Sequence, residues 1–283
     1  MIDKVAATIV LYNPETDVIT NIEALLNQVS KIYLIDNSEN EIDLNIINFI
    51  NGKDKLEYIR FNENKGVGEA LNTALNLAFR DGYEYLLTLD QDSFVSENMI
   101  SKLFNIITQE ESIALVTAKH FDPSQHILEF NQTVKDILYT MTSGNLVKVS
   151  IAKQVGGFDS KLFIDHIDHE FCLKLKYNGY KLKKVNDAIL YHKLGRSERR
   201  KILGLNFYPS HHSPIRYYYR TRNRLYVDIK YRKIFPEYFK EDIRHFFREF
   251  LDMIVCEKQK LKKIYMILVG IIHFKIKKFG RYK

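Results

Sequence analysis

Two carboxylates spaced i, i+2 close an apolar run in the stretch Leu86-Leu87-Thr88-Leu89-Asp90-Gln91-Asp92-Ser93. Side chains on an extended strand alternate faces, so Asp90 and Asp92 leave the strand end on one side. Hard divalent cations such as Mg²⁺ and Mn²⁺ take oxygen ligands and bridge one or two carboxylates to a substrate phosphate. The spacing therefore suits a seat for a metal-bound diphosphate. A strand-end Asp pair also serves as a turn initiator or helix cap, so the surrounding elements have to decide.

Those elements alternate. Val5–Leu11 is a continuous apolar run, as expected of a strand buried on both faces. A helix follows over Thr16–Gln28, then strand Lys31–Ile35, helix Asp43–Ile50 and strand Leu56–Phe61. Helix Gly66–Arg80 has Ala70, Leu71, Ala74, Leu75, Leu77 and Ala78 on its inner side. Strand Tyr85–Leu89 leads into the Asp pair, Ser96 is placed to cap a helix through Ile107, and Ile113–Thr117 is a further strand. This β-α-β order predicts an α/β fold with a mostly parallel sheet and helices on both faces. Ligands bind beyond the carboxyl ends of such strands. Tyr12-Asn13, Asp36-Asn37, Asn64-Lys65 and Asp90-Asp92 all fall at or near those ends.

From about residue 120 the pattern changes. Ile137–Ser150 reads as extended, His166–Asn178 as a helix, and Leu182–Val185 and Ala188–Tyr191 as two short strands. Helices are predicted over 214–231, 237–258 and 261–279. A dinucleotide-binding fold would need Gly-x-Gly-x-x-Gly after the first strand. Tyr12-Asn13-Pro14-Glu15-Thr16-Asp17 stands there, and no Gly-x-x-x-x-Gly-Lys occurs either.

Eight motifs in order resemble the inverting family-2 glycosyltransferases of the GT-A fold. They are Ile9-Val10-Leu11-Tyr12-Asn13-Pro14, Leu34-Ile35-Asp36-Asn37-Ser38, Asn62-x-Asn64-Lys65-Gly66-x-Gly68-x-Ala70-x-Asn72 and Leu87 through Ser93. Ser143-Gly144-Asn145, Gly156-Gly157-Phe158-Asp159, Phe163 through Glu170 and Tyr191-His192 complete the set. The likeness spans roughly residues 4–230. The Asp-Gln-Asp form and Ile164-Asp165-His166-Ile167-Asp168 resemble the bacterial rhamnosyltransferase branch in particular.

The resemblance implies roles. Asp92 is the direct metal ligand, with Asp90 facing the ribose and diphosphate and His192 completing the site, for Mn²⁺ or Mg²⁺. Asp36 hydrogen-bonds the pyrimidine ring; Tyr12, Asn13, Asn37, Asn64, Lys65 and Gly66 complete the nucleoside pocket, and Asn145 lies on the sugar side. A plain βα turn competes with the pocket reading for Asn37, Asn64 and Gly68. Asp168 matches the catalytic base, since an inverting transferase needs one carboxylate to take the acceptor hydroxyl's proton. The family's usual preceding Glu is Ile167 here, and Asp165 and Glu170 are neighbouring carboxylates that compete for the role. An acidic helix N-terminus placed for dipole reasons is the other reading. His120, His126, His166 and His169 receive no role.

Composition frames this reading. The 283 residues suit one large domain or a domain with an appendage. Cys172 and Cys256 stand in no metal or redox spacing, and the start shows no signal-peptide pattern, so a cytoplasmic protein is expected. The overall charge of +7 is divided. Residues 1–195 carry 19 Lys+Arg and 27 Asp+Glu, a net of −8, whereas residues 196–283 carry 23 and 8, a net of +15. Two parts follow, a GT-A catalytic domain over 1–213 and a basic helical region over 214–283. The uncharged run Ile264–Phe274 is 11 residues long, short of the roughly 20 that span a membrane.

Basic amphipathic helices lie on anionic membrane surfaces, Arg mixed with aromatics can bind nucleic acid, and solvated lysines can flank a homo-oligomer face. A lipid-linked saccharide acceptor at the inner membrane leaflet accounts for both halves of the chain, with no nucleic acid partner expected and the protein peripheral at the inner face of the cell membrane. The expected activity moves L-rhamnose from dTDP-β-L-rhamnose to a cell-surface glycan. A UDP-hexose donor is the alternative within the class, and a non-catalytic membrane-associated or nucleic-acid-binding protein the alternative outside it.

Overall fold

The computed structural model describes residues 2–122, 133–192, 200–202 and 204–282. Contacts divide the chain into two compact units, one of residues 1–163 and 167–193, the other of residues 164–166 and 194–283.

The first unit is built on a nine-stranded sheet in the order β3-β2-β1-β4-β8-β6-β9-β5, with β7 also on β9. Strands β1 (Val5–Leu11), β2 (Lys31–Asp36), β3 (Leu56–Arg60) and β4 (Tyr85–Asp90) run parallel. Helices α1 (Val18–Leu26), α2 (Leu44–Asn51), α3 (Val67–Arg80) and α4 (Met99–Ile107) alternate with the strands. In β1 the residues Val5, Ala6, Ala7, Ile9 and Leu11 are all buried, because helices cover both faces of a parallel sheet. Each fully buried Leu or Ile side chain contributes about 1.5–3 kcal/mol. One spacing of apolar residues thus sets both the strand's place and much of the core's stability.

Past β4 the sheet is mixed. β8 (Asn145–Lys148) enters antiparallel between β4 and β6 (Ile113–Phe121). β6 then pairs in parallel with β9 (Lys181–His192), whose outer neighbours β5 (Ser93–Val95) and β7 (Val134–Asp136) are antiparallel to it. The two short strands expected at 182–185 and 188–191 are one strand, bent by a register shift opposite Ala118 and Lys119. Extended backbone was expected through Ser150, yet Val149–Gln154 is a helix, α5. Ser96 does not cap α4: the cap position is Asn98 in a left-handed conformation (φ 59°). The expected helix at 166–178 is α6, Ile167–Tyr177.

The second unit is helical: α7 (Pro214–Tyr231), α8 (Pro236–Cys256) and α9 (Lys260–Lys275), with a small hairpin of β10 (Arg200–Ile202) and β11 (Leu205–Phe207). Its core is partly polar. Arg222 is fully buried, with its guanidinium 5.1–5.2 Å from the ring centres of Tyr218, Tyr219 and Phe279, and it donates to the Gly280 carbonyl at 2.8 Å. Arg224 donates to Asp242 at 2.5 Å and is paired with Glu249. The mixture of arginines and tyrosines in α7 therefore places Tyr217, Tyr218, Tyr219, Arg222 and Arg224 inside the unit. α9 crosses α7 closely at Gly270, where an added Cβ would meet the Tyr218 carbonyl oxygen at 2.8 Å.

Candidate functional site

The carboxyl ends of β1, β2 and β4 carry Tyr12, Asp36 and Asp90, as parallel-sheet topology requires of a ligand site. Gln91, between the two Asp residues, ties two of these ends together. Its side-chain oxygen accepts from the Tyr12 amide at 2.8 Å, and its side-chain nitrogen donates to the Tyr12 carbonyl at 3.3 Å. The Asn21 amide group donates to the Gln91 carbonyl at 2.7 Å. The Asp-Gln-Asp form marks Gln91 in the sequence but not its task, because its partner stands 79 residues away.

Asp90, Asp92 and His192 converge: one ligand atom from each lies within 4.8 Å of the others. His192 comes from the last residue of β9, which pairs with Ser93 across the β5–β9 ladder. A chain of hydroxyls stiffens this corner. His192 Nδ1 shares a hydrogen bond of 2.8 Å with Ser93 Oγ, and Ser93 Oγ one of 2.7 Å with Ser143 Oγ. Ser143 Oγ accepts from the Asp90 amide at 3.0 Å. Fixing one imidazole nitrogen in this way sets the ring's orientation toward any ion.

His120 stands edge-on to His192, with ring centres 6.2 Å apart, and donates from Nε2 to the Ser143 carbonyl at 2.7 Å. Burial pushes its pKa down to about 4, so it is neutral near pH 7. Two carboxylates and an imidazole at this separation fit a divalent cation of the Mg²⁺ or Mn²⁺ kind. His126 lies outside the described residues.

Asp36 is fully buried at the end of β2. The Ser38 amide donates to one carboxylate oxygen at 2.9 Å and the Tyr58 hydroxyl to the other at 2.5 Å. Burial and this bond to Asp36 hold the Tyr58 phenol well above its ordinary pKa. Each carboxylate oxygen has two acceptor sites, so capacity remains for a ligand N–H. Asn13, in a left-handed conformation (φ 45°), donates its amide to Ser38 Oγ at 2.7 Å. Asn37 Oδ1 accepts from the Lys65 amide at 2.8 Å, and Asn64 Oδ1 from the Gly66 amide at 3.0 Å. Asn37 and Asn64 thus shape the loop that presents Lys65 and Gly66.

The glycines of that loop have a further task. At Gly66 (φ 88°) an added Cβ would meet the Phe163 carbonyl oxygen at 2.6 Å, and the next amide, Val67, donates to that carbonyl at 2.7 Å. Asn72, on α3, clamps the same region with a reciprocal pair at 2.8 Å, its amide group donating to the Phe158 carbonyl and its oxygen accepting from the Phe158 amide. The third sequence motif is therefore a fastener between α3 and residues 157–163, which lead into α6. Asn72→Ala leaves two backbone groups without these partners and is expected to destabilise the protein by roughly 2 kcal/mol. Denaturant unfolding would measure this, and an unchanged midpoint would remove Asn72 from the account.

Asp168 is the second residue of α6, in the same unit as Asp90, Asp92 and His192. Its Oδ1 accepts from the His169 amide at 2.9 Å. The neighbouring carboxylates are committed elsewhere. Glu170 is fully buried with Lys174 at 3.2 Å, and Asp165 is gripped by Arg216 through contacts of 3.1–3.3 Å. Phe163, Asp165 and His166, just before α6, all have positive φ (62–69°). Such conformations cost energy and cluster at functional sites. Asn145 opens β8 between Thr88 and Thr117 and donates to the Met141 carbonyl at 2.7 Å. Its own side-chain oxygen is buried without a hydrogen-bond partner among the described residues.

Comparison with known proteins bears on this arrangement. The model of glycosyl transferase family 2 matches residues 7–162, more than half of the chain. The dTDP-rhamnosyl transferase RfbF of Shigella flexneri is 28% identical over 244 residues, covering 79% of this chain and 79% of that protein. A crystal structure of GalNAc-T7 with UDP, GalNAc and Mn²⁺ shares the fold at TM-score 0.65 and 14% identity, over 84% of this chain and 50% of that one. S. aureus TarS does so at TM-score 0.55 and 18% identity, over 69% and 37%. The chain thus spans half or less of the length of these two solved structures.

Proposed function

Because the chain belongs to glycosyl transferase family 2, we propose that this glycosyltransferase moves L-rhamnose from dTDP-β-L-rhamnose, with inversion, to a lipid-linked saccharide at the inner face of the membrane. The observation that carries a nucleotide-sugar site is the convergence of Asp90, Asp92 and His192 beside Asp36 at the strand ends. The donor is supported by the likeness to a dTDP-rhamnosyl transferase.

In this reading Asp36 accepts the ring N–H of the pyrimidine, and Tyr12, Asn13, Asn37, Asn64, Lys65 and Gly66 wall the nucleoside. Asn145 faces the sugar. Asp90, Asp92 and His192 would hold Mn²⁺ or Mg²⁺, and such an ion would supply positive charge to the departing diphosphate. Asp168 takes the proton of the acceptor hydroxyl. The acceptor oxygen forms its bond to the anomeric carbon from the face opposite the diphosphate, and the bond to the diphosphate oxygen breaks. Among the described residues Glu170 is paired with Lys174 and Asp165 with Arg216, whereas the Asp168 carboxylate accepts only a backbone amide, which favours it as the base.

The test is thermal stability of the purified protein against a panel of nucleotide sugars, each with and without Mn²⁺ or Mg²⁺. A donor at 100 times its dissociation constant stabilises the fold by ~2.7 kcal/mol. A metal-dependent rise with dTDP-rhamnose alone is the expected result. A rise with UDP-sugars instead would keep the transferase and discard the rhamnosyl donor, and no rise with any donor would sink the site.

A further inference from the structure

The side of α9 that faces away from α7 is apolar. Leu261, Tyr265, Leu268, Ile272 and, just past the helix, Ile276 recur at helical spacing and are each 54–83% exposed. The opposite side is already used, with Met266, Ile267 and Gly270 buried in the helical unit. The exposed stripe is therefore surplus to the core. Soluble monomers rarely leave a contiguous apolar patch of that kind open without a partner for it.

The charge around the stripe identifies the partner. Residues 258–283 hold eight Lys and one Arg and no Asp or Glu. Lys260 and Lys262 stand exposed at the start of the helix, and Lys275, Lys277 and Lys278 at its end. A second copy docked by the same face would bring two such cation clusters together with no acidic group in either stretch to offset them. An anionic lipid surface offers the opposite charge to the lysines and hydrocarbon to the stripe. The length of α9 sets its orientation. At 16 residues it is about 24 Å long, against a hydrocarbon core of about 30 Å. No helix among the described residues is long and apolar enough to cross a membrane. A helix of this kind lies in the plane of the interface, its lysine stems reaching up to the headgroups.

We propose that the outer face of α9 docks the protein on an anionic phospholipid bilayer, with Leu261, Tyr265, Leu268, Ile272 and Ile276 in the acyl boundary and the flanking lysines on the headgroup phosphates. The proposal stands apart from the choice of sugar donor, because lipid binding is read without donor or acceptor.

Cosedimentation of the full chain with vesicles tests it, using phosphatidylcholine alone or mixed with phosphatidylglycerol. Binding to the anionic vesicles, weakened by salt, is expected. The pair Leu268→Glu and Ile272→Glu, at exposed positions, should abolish that binding while leaving the melting temperature unchanged. Lys275→Gln, Lys277→Gln and Lys278→Gln should each lower the partition coefficient about fivefold. Absence of binding to anionic vesicles, or binding that survives the Leu268→Glu/Ile272→Glu pair, would overturn the proposal. So would a wild-type dimer that this pair converts to monomer in sedimentation equilibrium, which would assign the stripe to a second copy.

Discussion

Asp168→Asn is expected to lower kcat by about 10²–10⁴-fold, the usual contribution of a positioned general base. The replacement keeps the shape of the side chain and removes its charge and its capacity to take a proton. The nucleotide pocket of this reading is built from β1, β2, β4 and the 62–66 loop, so donor affinity should stay within about twofold. Stopped assays of sugar transfer beside donor titrations separate the two quantities. Full activity, or a donor affinity that falls together with the rate, would remove Asp168 from the role. Glu170→Gln makes the instructive contrast. Glu170 is fully buried against Lys174, so its loss should appear in stability rather than in the chemical step.

The second large effect is on binding. Asp92→Ala should weaken donor affinity at least about 100-fold in the presence of Mn²⁺ or Mg²⁺, because outer-shell partners of a metal alone cost 10–100-fold. The side chain of Asp92 is 52% exposed, so the unliganded protein should melt within about 0.5 kcal/mol of wild type. Calorimetric titration of donor with and without the ion measures the difference. An affinity that is unchanged with the ion present would refute the metal role of Asp92.

Much of this site could be read from the chain before its structure. The parallel half announces itself because β1, β2 and β4 are buried on both faces and so must be nearly pure apolar runs, with turn residues and carboxylates at their ends. Asp90 and Asp92 were legible as candidates because an apolar strand runs into them, and His192 through the family resemblance, at the end of β9.

What escaped was held by long-range pairing. β5 is three residues long, too short for any period, and exists because Ser93–Val95 meets Leu190–His192. Gln91 and Ser143 stand in motifs, but their tasks show only when partners 53 and 79 positions away come up to them. Asn72 carries a motif signal, but the signal names no task, since its partner is the backbone of Phe158. The arginines of α7 left their surroundings open for the converse reason. Alternating Arg and Tyr gives the same pattern whether it faces solvent or a polar core, and Arg222 shows that it faces the core.

The pairing of β5 with β9 also sets a clock. Asp90 and Asp92 leave the ribosome about 100 residues before His192, and β5 finds its described ladder partner only when that histidine has emerged. At about 5–20 residues per second the interval is roughly 5–20 s. Through that time β3, β2, β1 and β4 can already be a sheet, since their pairings with one another lie within the first 90 residues. If Asp90, Asp92 and His192 hold an ion as proposed, the nascent chain acquires the two carboxylates early and the imidazole last.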